Sequence, residues 1–475
     1  FQKVTPYESL LEQALSLSLT LPDLLGATQS GPKTYLVLIQ NEDELRPTGG
    51  FLTSVAKVVM RNGELDSFDV QDSYDVDVLD GEELYPPAPW QLNEFMNIPV
   101  VLFRDSNWFS DYPTTALWAE YLYAKKYTHT VDGVIAINQH VLVSLLEVTG
   151  PIYVSEIEET ISSKNVLQVM REQKVPQGEL EDRASWDRKD FMRPISSALL
   201  GLFVEGDKDF SWVDILKKVV RELDQRQILV QLDDALLTDF LAERGWDGAI
   251  RYRGGDFLFV VDTNIGYNKT NARVSRSFVY DVDLTDLAIP QSNLVLFHHN
   301  AVENPTGEPC IQRVTDEDTL RLYPINRCYY SYTRIYKPAG TVLTDALPHP
   351  VSRLEMEMLY EDVPARVDLL NEEIENIQAF GTLLMVPKDD TLETGFSFAL
   401  PGSVLQSVGR NNQQVYRLFI QKQSGVDPVP VTLRVHLPNG AELLAASHEG
   451  IAEGSDLLFE LTLNEDIEFE IIFTP

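Results

Sequence analysis

Five residues stand out because their types and positions could do chemistry: Arg46, Asp72, Arg104, Asp105 and Asp111. Arginine presents a planar fork of donors that fits phosphate oxygens, and one or two carboxylates beside it would hold a magnesium ion. Such a set suits transfer at a pyrophosphate. Each residue also has a plain structural use. Arg46 follows Glu42, Asp43 and Glu44 and can pair with one of them. Asp111 stands just before Pro113, where a carboxylate caps a helix start. No GxSxG elbow, P-loop, GxGxxG or HExxH motif occurs. The seven histidines are scattered, apart from His298-His299. Adjacent residues on a strand face opposite ways, so this pair cannot easily share a metal and reads as structural.

Two extended runs must position Arg46. Tyr35 to Ile39 is apolar and β-branched enough for a strand buried on both faces. Phe51 to Met60 is the second, ending at the turn dipeptide Asn62-Gly63. Between them Pro47 and Gly49-Gly50 mark a loop. A third extended segment, Leu65 to Val70, runs into an acidic stretch from Asp66 to Glu83. Asp75, Asp77 and Asp80-Gly81 faintly resemble a calcium loop, but the spacing departs from an EF-hand, and a solvated charged face is the plainer reading.

Farther along, helices are expected over 6–25, from Pro113 to Lys126 and over 139–148, with a strand from Val131 to Ile137. Residues 161–245 read as mostly helical, with Phe191, Ile195, Leu199 and Leu202 on one face and Ser211 and Asp214 forming a capping box. From Asp256 the apolar period becomes two. Phe257–Val261 and Val274–Val282 read as a strand pair. Val431, Leu433, Val435 and Leu437 alternate, as do Leu457 to Leu463 and Ile467 to Phe473, and Asn439-Gly440 signals a hairpin. Tyr330, Tyr332 and Tyr336 alternate on a tyrosine-rich strand. An exposed row there would form a ligand or partner surface, whereas cross-strand packing is the ordinary alternative.

At 475 residues, 44% hydrophobic, the chain has ample material for two or three packed domains. We expect an α+β multi-domain protein. An N-terminal helix (1–30) precedes an α/β sandwich (31–300) with a helical insertion (161–245). A β-rich connection (301–377) and an antiparallel, immunoglobulin-like β-sandwich (378–475) follow. A net charge of −35, from 73 acidic and 38 basic residues, opposes nucleic-acid binding. Cys310 and Cys328 are the two cysteines. A disulfide between them would imply an oxidising compartment; two buried thiols are the alternative. No apolar run reaches the roughly 20 residues that cross a bilayer.

Four stretches resemble the bacterial family called domain of unknown function 4012: YLVLIQN with ELRPTGGF (35–41 and 44–51), DSNWFSDYPTTA (105–116), VDGVIAINQHVLVSLLEVTGPIYV (131–154) and NIGYNKTNARVSRSFVYDV (264–282). The resemblance implies an extracytoplasmic envelope protein held to the membrane by an anchor upstream of Phe1. The expected function is non-catalytic. The protein would be a surface-layer, sheath, filament or membrane-complex accessory subunit, with copies of itself or other envelope proteins as partners, and no cofactor. A distant likeness to the LytR-CpsA-Psr phosphotransferases implies the alternative. There Arg46, Asp72, Arg104, Asp105 and Asp111 would serve a polyprenyl pyrophosphate with magnesium. A carbohydrate-binding surface protein is the third reading.

Overall fold

A computed structural model describes residues 20–79, 85–128, 130–155, 158–172, 195, 198–199, 201, 210–312, 325–356, 358–409 and 413–475. Most of the helix expected over 6–25 lies outside these residues. So do Phe191 and Leu202, and Asp80-Gly81 of the calcium-like stretch. The chain forms two compact units. The first comprises Phe1–Asn41, Thr48–Pro86 and Val101–Ala249, and the second Glu42–Pro47, Pro87–Val100 and Ile250–Pro475.

The first unit is built on a five-stranded sheet. Its strands are β1 (Lys33–Arg46, of which the part through Asn41 belongs here), β2 (Gly49–Arg61), β3 (Glu64–Asp72), β4 (Gly133–Ile137) and β7 (Ile228–Leu232), in the order β3-β2-β1-β4-β7. Strands β5 (Ile152–Val154) and β6 (Glu159–Ile161) pair separately. Asn62 and Gly63 both take positive φ, which closes the tight β2–β3 hairpin that the Asn-Gly pair announces. Strands β1 and β4 run parallel, with Tyr35 to Ile39 beside Gly133 to Ile137. Leu36, Leu38, Val134 and Ala136 are buried. Helix Tyr112–Ala124 buries Tyr112, Ala116, Ala119 and Leu122, and the Tyr112 hydroxyl donates to the Val134 carbonyl at 3.1 Å. Helix Trp212–Asp224 opens with the expected cap, the Ser211 side chain accepting from the Asp214 amide.

The second unit is two sheets around one core. Its strands are β8 (Asp256–Val261), β9 (Val274–Asp283), β10 (Gln291–Asn300), β11 (Tyr329–Pro338), β12 (Val342–Leu347), β13 (Asp368–Leu370), β14 (Ile377–Val386), β15 (Asp390–Ala399), β16 (Leu405–Val408), β17 (Gln413–Gln421), β18 (Val429–His436), β19 (Glu442–Ala446), β20 (Ile451–Glu453), β21 (Asp456–Leu463) and β22 (Ile467–Thr474). One sheet runs β12-β15-β10-β9-β18-β21-β20 and the other β13-β14-β11-β8-β17-β22-β19, with β16 beside β17. Leu258, Tyr280, Leu296, Ile335, Phe398, Leu418, Leu433, Phe459 and Ile471 are among the buried residues of a single core drawn from both sheets.

The sequence locates strands here better than it pairs them. Phe257–Val261 and Val274–Val282 are consecutive but enter different sheets. Asn439-Gly440 makes a turn, with Gly440 at φ +89°, yet the strands it joins, β18 and β19, lie in different sheets as well. Residues 378–475 are not a separate antiparallel sandwich, because their strands complete sheets begun by 256–347. Two of the joins are parallel, β8 with β17 and β9 with β18, and three are antiparallel, β11 with β14 and both β10 and β12 with β15. Alternation reports which face a strand buries and carries no information on its neighbour.

Cys310 and Cys328 form a disulfide across 18 residues. Closing a loop of that length stabilises the fold by about 3 kcal/mol on the chain-entropy account. Reduction, or Cys310→Ser, is therefore expected to lower the unfolding free energy by that amount in urea titrations. A change below about 0.5 kcal/mol would mean that the loop is held by its other contacts.

Candidate functional site

In the first unit, the TGGF end of ELRPTGGF (48–51) meets DSNWFSDYPTTA. The Asn107 amide donates to the Gly50 carbonyl at 2.7 Å. Strand β1 ends its parallel pairing at Ile39 and β4 at Ile137, so Gln40 and Asn138 emerge together at the carboxyl ends of adjacent parallel strands. That is the end of an α/β sheet where ligands characteristically bind. Asn138 also begins helix Gln139–Thr149, with its side chain turned to Gln227 at 3.1 Å instead of capping that helix. The Gln139 amide donates to Asn41 at 2.8 Å.

Gly49 closes this joint. Its φ is +135°, and a Cβ there would overlap the side chains of Gln40 and Asn138. No side-chain-bearing residue fits both the backbone and the space. Both side-chain polar atoms of Gln40, the Thr48 and Ser106 hydroxyls and the Asn107 carbonyl oxygen are buried without a hydrogen-bond partner among the described residues. Buried polar atoms are ordinarily satisfied, so the joint offers donors and acceptors to ordered water or to a polar group of a ligand.

The ionisable candidates of this unit are engaged in local structure. Asp72 caps the short helix Ser73–Val76 through the Tyr74 amide. Asp111 caps helix Tyr112–Ala124, accepting from the Thr114 amide and hydroxyl at 3.2 and 2.8 Å. Arg104 pairs with Asp77 at 3.0 Å, and Asp77 also accepts from the Phe103 amide at 2.7 Å. Burial pushes the Asp77 carboxyl up, against the pull of the Phe103 amide and Arg104. Asp105 is buried in the turn Phe103–Trp108.

Arg46 belongs to the second unit. Its guanidinium pairs with Glu44 at 2.9 Å and donates to the Asn264 carbonyl at 2.6 Å. Beside it lies a buried polar cluster whose hub, Asp262, sequence reasoning missed. Asp262 accepts from Thr333 at 2.6 Å and Arg276 at 2.8 Å, and His298 Nε2 lies 3.0 Å from it. Gln423 ties Asp262 to Arg46, donating to the Asp262 carbonyl at 2.7 Å and the Arg46 carbonyl at 3.1 Å. Burial opposes ionisation of Asp262, but the facing His298 and Arg276 outweigh it and hold the carboxyl well below the usual carboxylate range. Asp262 directly follows an apolar β8, which was its one available signal. As expected, the histidines part: His298 is fully buried and His299 is exposed.

The tyrosine row is a correction. Tyr330, Tyr332 and Tyr336 are fully buried, so they present no ligand or partner surface. Strand β11 lies inside its sheet between β14 and β8, and segments of the second unit cover its outer face. Trp90 and Phe95 pack on Tyr332 at 5.9 and 5.7 Å between ring centres. The three hydroxyls donate to the Glu355 carbonyl, Asp368 and Glu372 at 2.7, 3.0 and 2.5 Å.

Exposed apolar side chains of the second unit include several on its outermost strands, besides others in its loops such as Leu354 and Tyr360. Strands β12 and β20 bound one sheet, and β13 and β19 the other. All four carry large aliphatics in water: Val342 and Leu347 on β12, Ile451 on β20, Leu369 on β13 and Leu444 on β19, each between 44% and 71% exposed. Among the described residues, no three His, Cys, Asp or Glu side chains gather as a metal site would need. No helix among them is long and apolar enough to cross a membrane.

Residues 30–174 match the family described as "Protein of unknown function (DUF4012)". No curated protein matches. Solved structures with local likeness include a protein of Legionella pneumophila described as nutrient-binding (9% identity, 46% of this chain and 71% of that one, TM-score 0.27). Another is a Streptococcus agalactiae protein (14%, 46% and 75%, TM-score 0.29). A third is an M1 zinc metallopeptidase of Deinococcus radiodurans (12%, 43% and 42%, TM-score 0.21). Scores this low carry no argument about this chain.

Two substitutions test these clusters. Gly49→Ala is expected to cost on the order of 1–3 kcal/mol from backbone strain alone, read by urea unfolding; an unchanged midpoint would show that the joint relaxes freely. Asp262→Asn leaves Arg276 without its charged partner and is expected to cost about 3–5 kcal/mol at neutral pH. Because the folded-state pKa of Asp262 is depressed, its contribution is full above the unfolded value of about 3.9 and fades as pH falls below it. The gap between wild type and variant should therefore narrow below about pH 4, and a gap constant to pH 3 would refute the assignment.

Proposed function

We propose that this protein is a non-catalytic extracytoplasmic component of the bacterial cell envelope that works by protein–protein contact through the edges of its second unit. One observation carries the reading: each of the four outermost strands of the two sheets bears a large aliphatic side chain in water. Apolar groups so placed gain free energy when covered, at about 25 cal/mol per Å². Bulges beside Thr344 in β12 and at Leu444 in β19 interrupt the regular ladder, which blunts indiscriminate strand pairing. Contact through side chains then sets the choice of partner.

Further support comes from the roles of the ionisable candidates. Asp72 and Asp111 cap helices, and Arg46 and Arg104 pair with Glu44 and Asp77. The disulfide supports an oxidising compartment for the chain. A net charge of −35 keeps copies apart at low ionic strength and lets them approach once salt screens it.

Sedimentation over a range of protein and salt concentrations tests this reading. Self-association is expected to strengthen between roughly 0.01 and 0.15 M salt, as screening shortens the Debye length from about 30 to about 8 Å. The double variant Leu369→Lys, Ile451→Lys should weaken it at least about tenfold while leaving thermal unfolding within a few degrees of wild type. A wild type that stays monomeric throughout, or a variant that associates equally well, would sink the proposal.

A further inference from the structure

Deep between the sheets lies a charged pair that neither the family resemblance nor the proposed edge contacts explain. Lys337 on β11 and Asp256 on β8 are both fully buried, with Lys337 Nζ 2.7 Å from Asp256 Oδ1. The Phe257 amide donates to the same oxygen at 2.7 Å. The other oxygen, Oδ2, accepts from the hydroxyls of Tyr280 at 2.5 Å and Tyr416 at 2.8 Å. The Tyr280 hydroxyl also meets Lys337 Nζ, so one phenol bridges amine and carboxyl. Aromatic faces complete the pocket, with Nζ 4.6 Å from the Tyr280 ring centre and 5.8 Å from that of Phe398.

An ammonium and a carboxylate are costly to hold in such a place, since effective desolvation amounts to several kcal/mol for each ion. Burial pushes the Lys337 amine down despite the facing Asp256. In a dry pocket the neutral amine becomes accessible, and it is then a nucleophile fixed beside a carboxyl carbon.

We propose that Lys337 and Asp256 are the two halves of an intramolecular amide bond that the folded protein forms by itself. Tyr280 acts as a proton relay, taking a proton from Lys337 Nζ as it gives its own to Asp256 Oδ2, without carrying a full charge. The Nζ lone pair adds to Cγ, and the Phe257 amide holds the negative charge that develops on Oδ1. Oδ2, protonated and held by Tyr416 and Tyr280, takes the second amine proton and departs as water. One N–C bond forms, one C–O bond breaks and one water leaves. The step needs neither oxidant nor cofactor. Its product is uncharged and links adjacent strands β8 and β11 covalently.

Intact mass of the reduced, denatured full chain reads the outcome. Wild type is expected one water lighter than its sequence, with a branched peptide joining the segments around Asp256 and Lys337. Lys337→Met should restore the full sequence mass. Tyr280→Phe, which keeps the ring, should fold by circular dichroism and show the full mass when freshly prepared. A folded wild type at full sequence mass would overturn the proposal, as would a water deficit that persists in Lys337→Met.

Discussion

One sheet of the second unit depends on a single seam, the parallel pairing of β8 with β17, as the other does on β9 with β18. Everything on one side of it comes from residues before 400 and everything on the other from residues after 400, so these contacts close long loops and form at high entropic cost. Parallel strands in a packed sheet have little to define their register when both are apolar, as DFLFVV and QQVYRLFIQ largely are. Polar groups supply the definition. At one end, Asp256 accepts from Tyr416 across the seam. At the other, the Asp262 amide and carbonyl exchange hydrogen bonds with the Gln423 side chain, at 2.9 and 2.7 Å. A one-residue slip would take the Tyr416 hydroxyl from Asp256 and leave the buried Asp262 amide and carbonyl without Gln423, a cost beyond that of losing some apolar contact.

The first unit uses polar groups differently. Its sheet positions are set by alternation and turn chemistry, and Gln40 and Asn138 bring buried polar side chains to the point where β1 and β4 end their parallel pairing. Gly49 admits the TGG loop to that end, and Asn107 locks the neighbouring turn onto it. The TGGF and DSNW segments are thus parts of one joint.

Local elements were legible in the sequence: the Asn62-Gly63 hairpin, the Ser211 and Asp111 caps, and the inward faces of β18, β21 and β22. Each rests on residues within a few positions of one another. What could not be read was long-range. No local pattern says that β8 and β9 part company into two sheets, or that Asp262 will find Arg276, His298 and Gln423. The tyrosines of β11 misled because alternation is the same whether the second face meets water or a covering segment. Here Trp90 and Phe95 provide the cover from more than two hundred positions upstream.

The division of the chain has a bearing on how this protein can vary. Glu42–Pro47 and Pro87–Val100 are drawn from the first half of the sequence yet belong to the second unit. The backbone therefore passes from one unit to the other five times. A single recombination point cannot deliver either unit whole. A gene fragment encoding only 250 onward would lack Arg46, which is tied to Gln423, and Trp90, which covers Tyr332. The two units are interleaved as text, and such a pair is inherited, duplicated or lost as one piece.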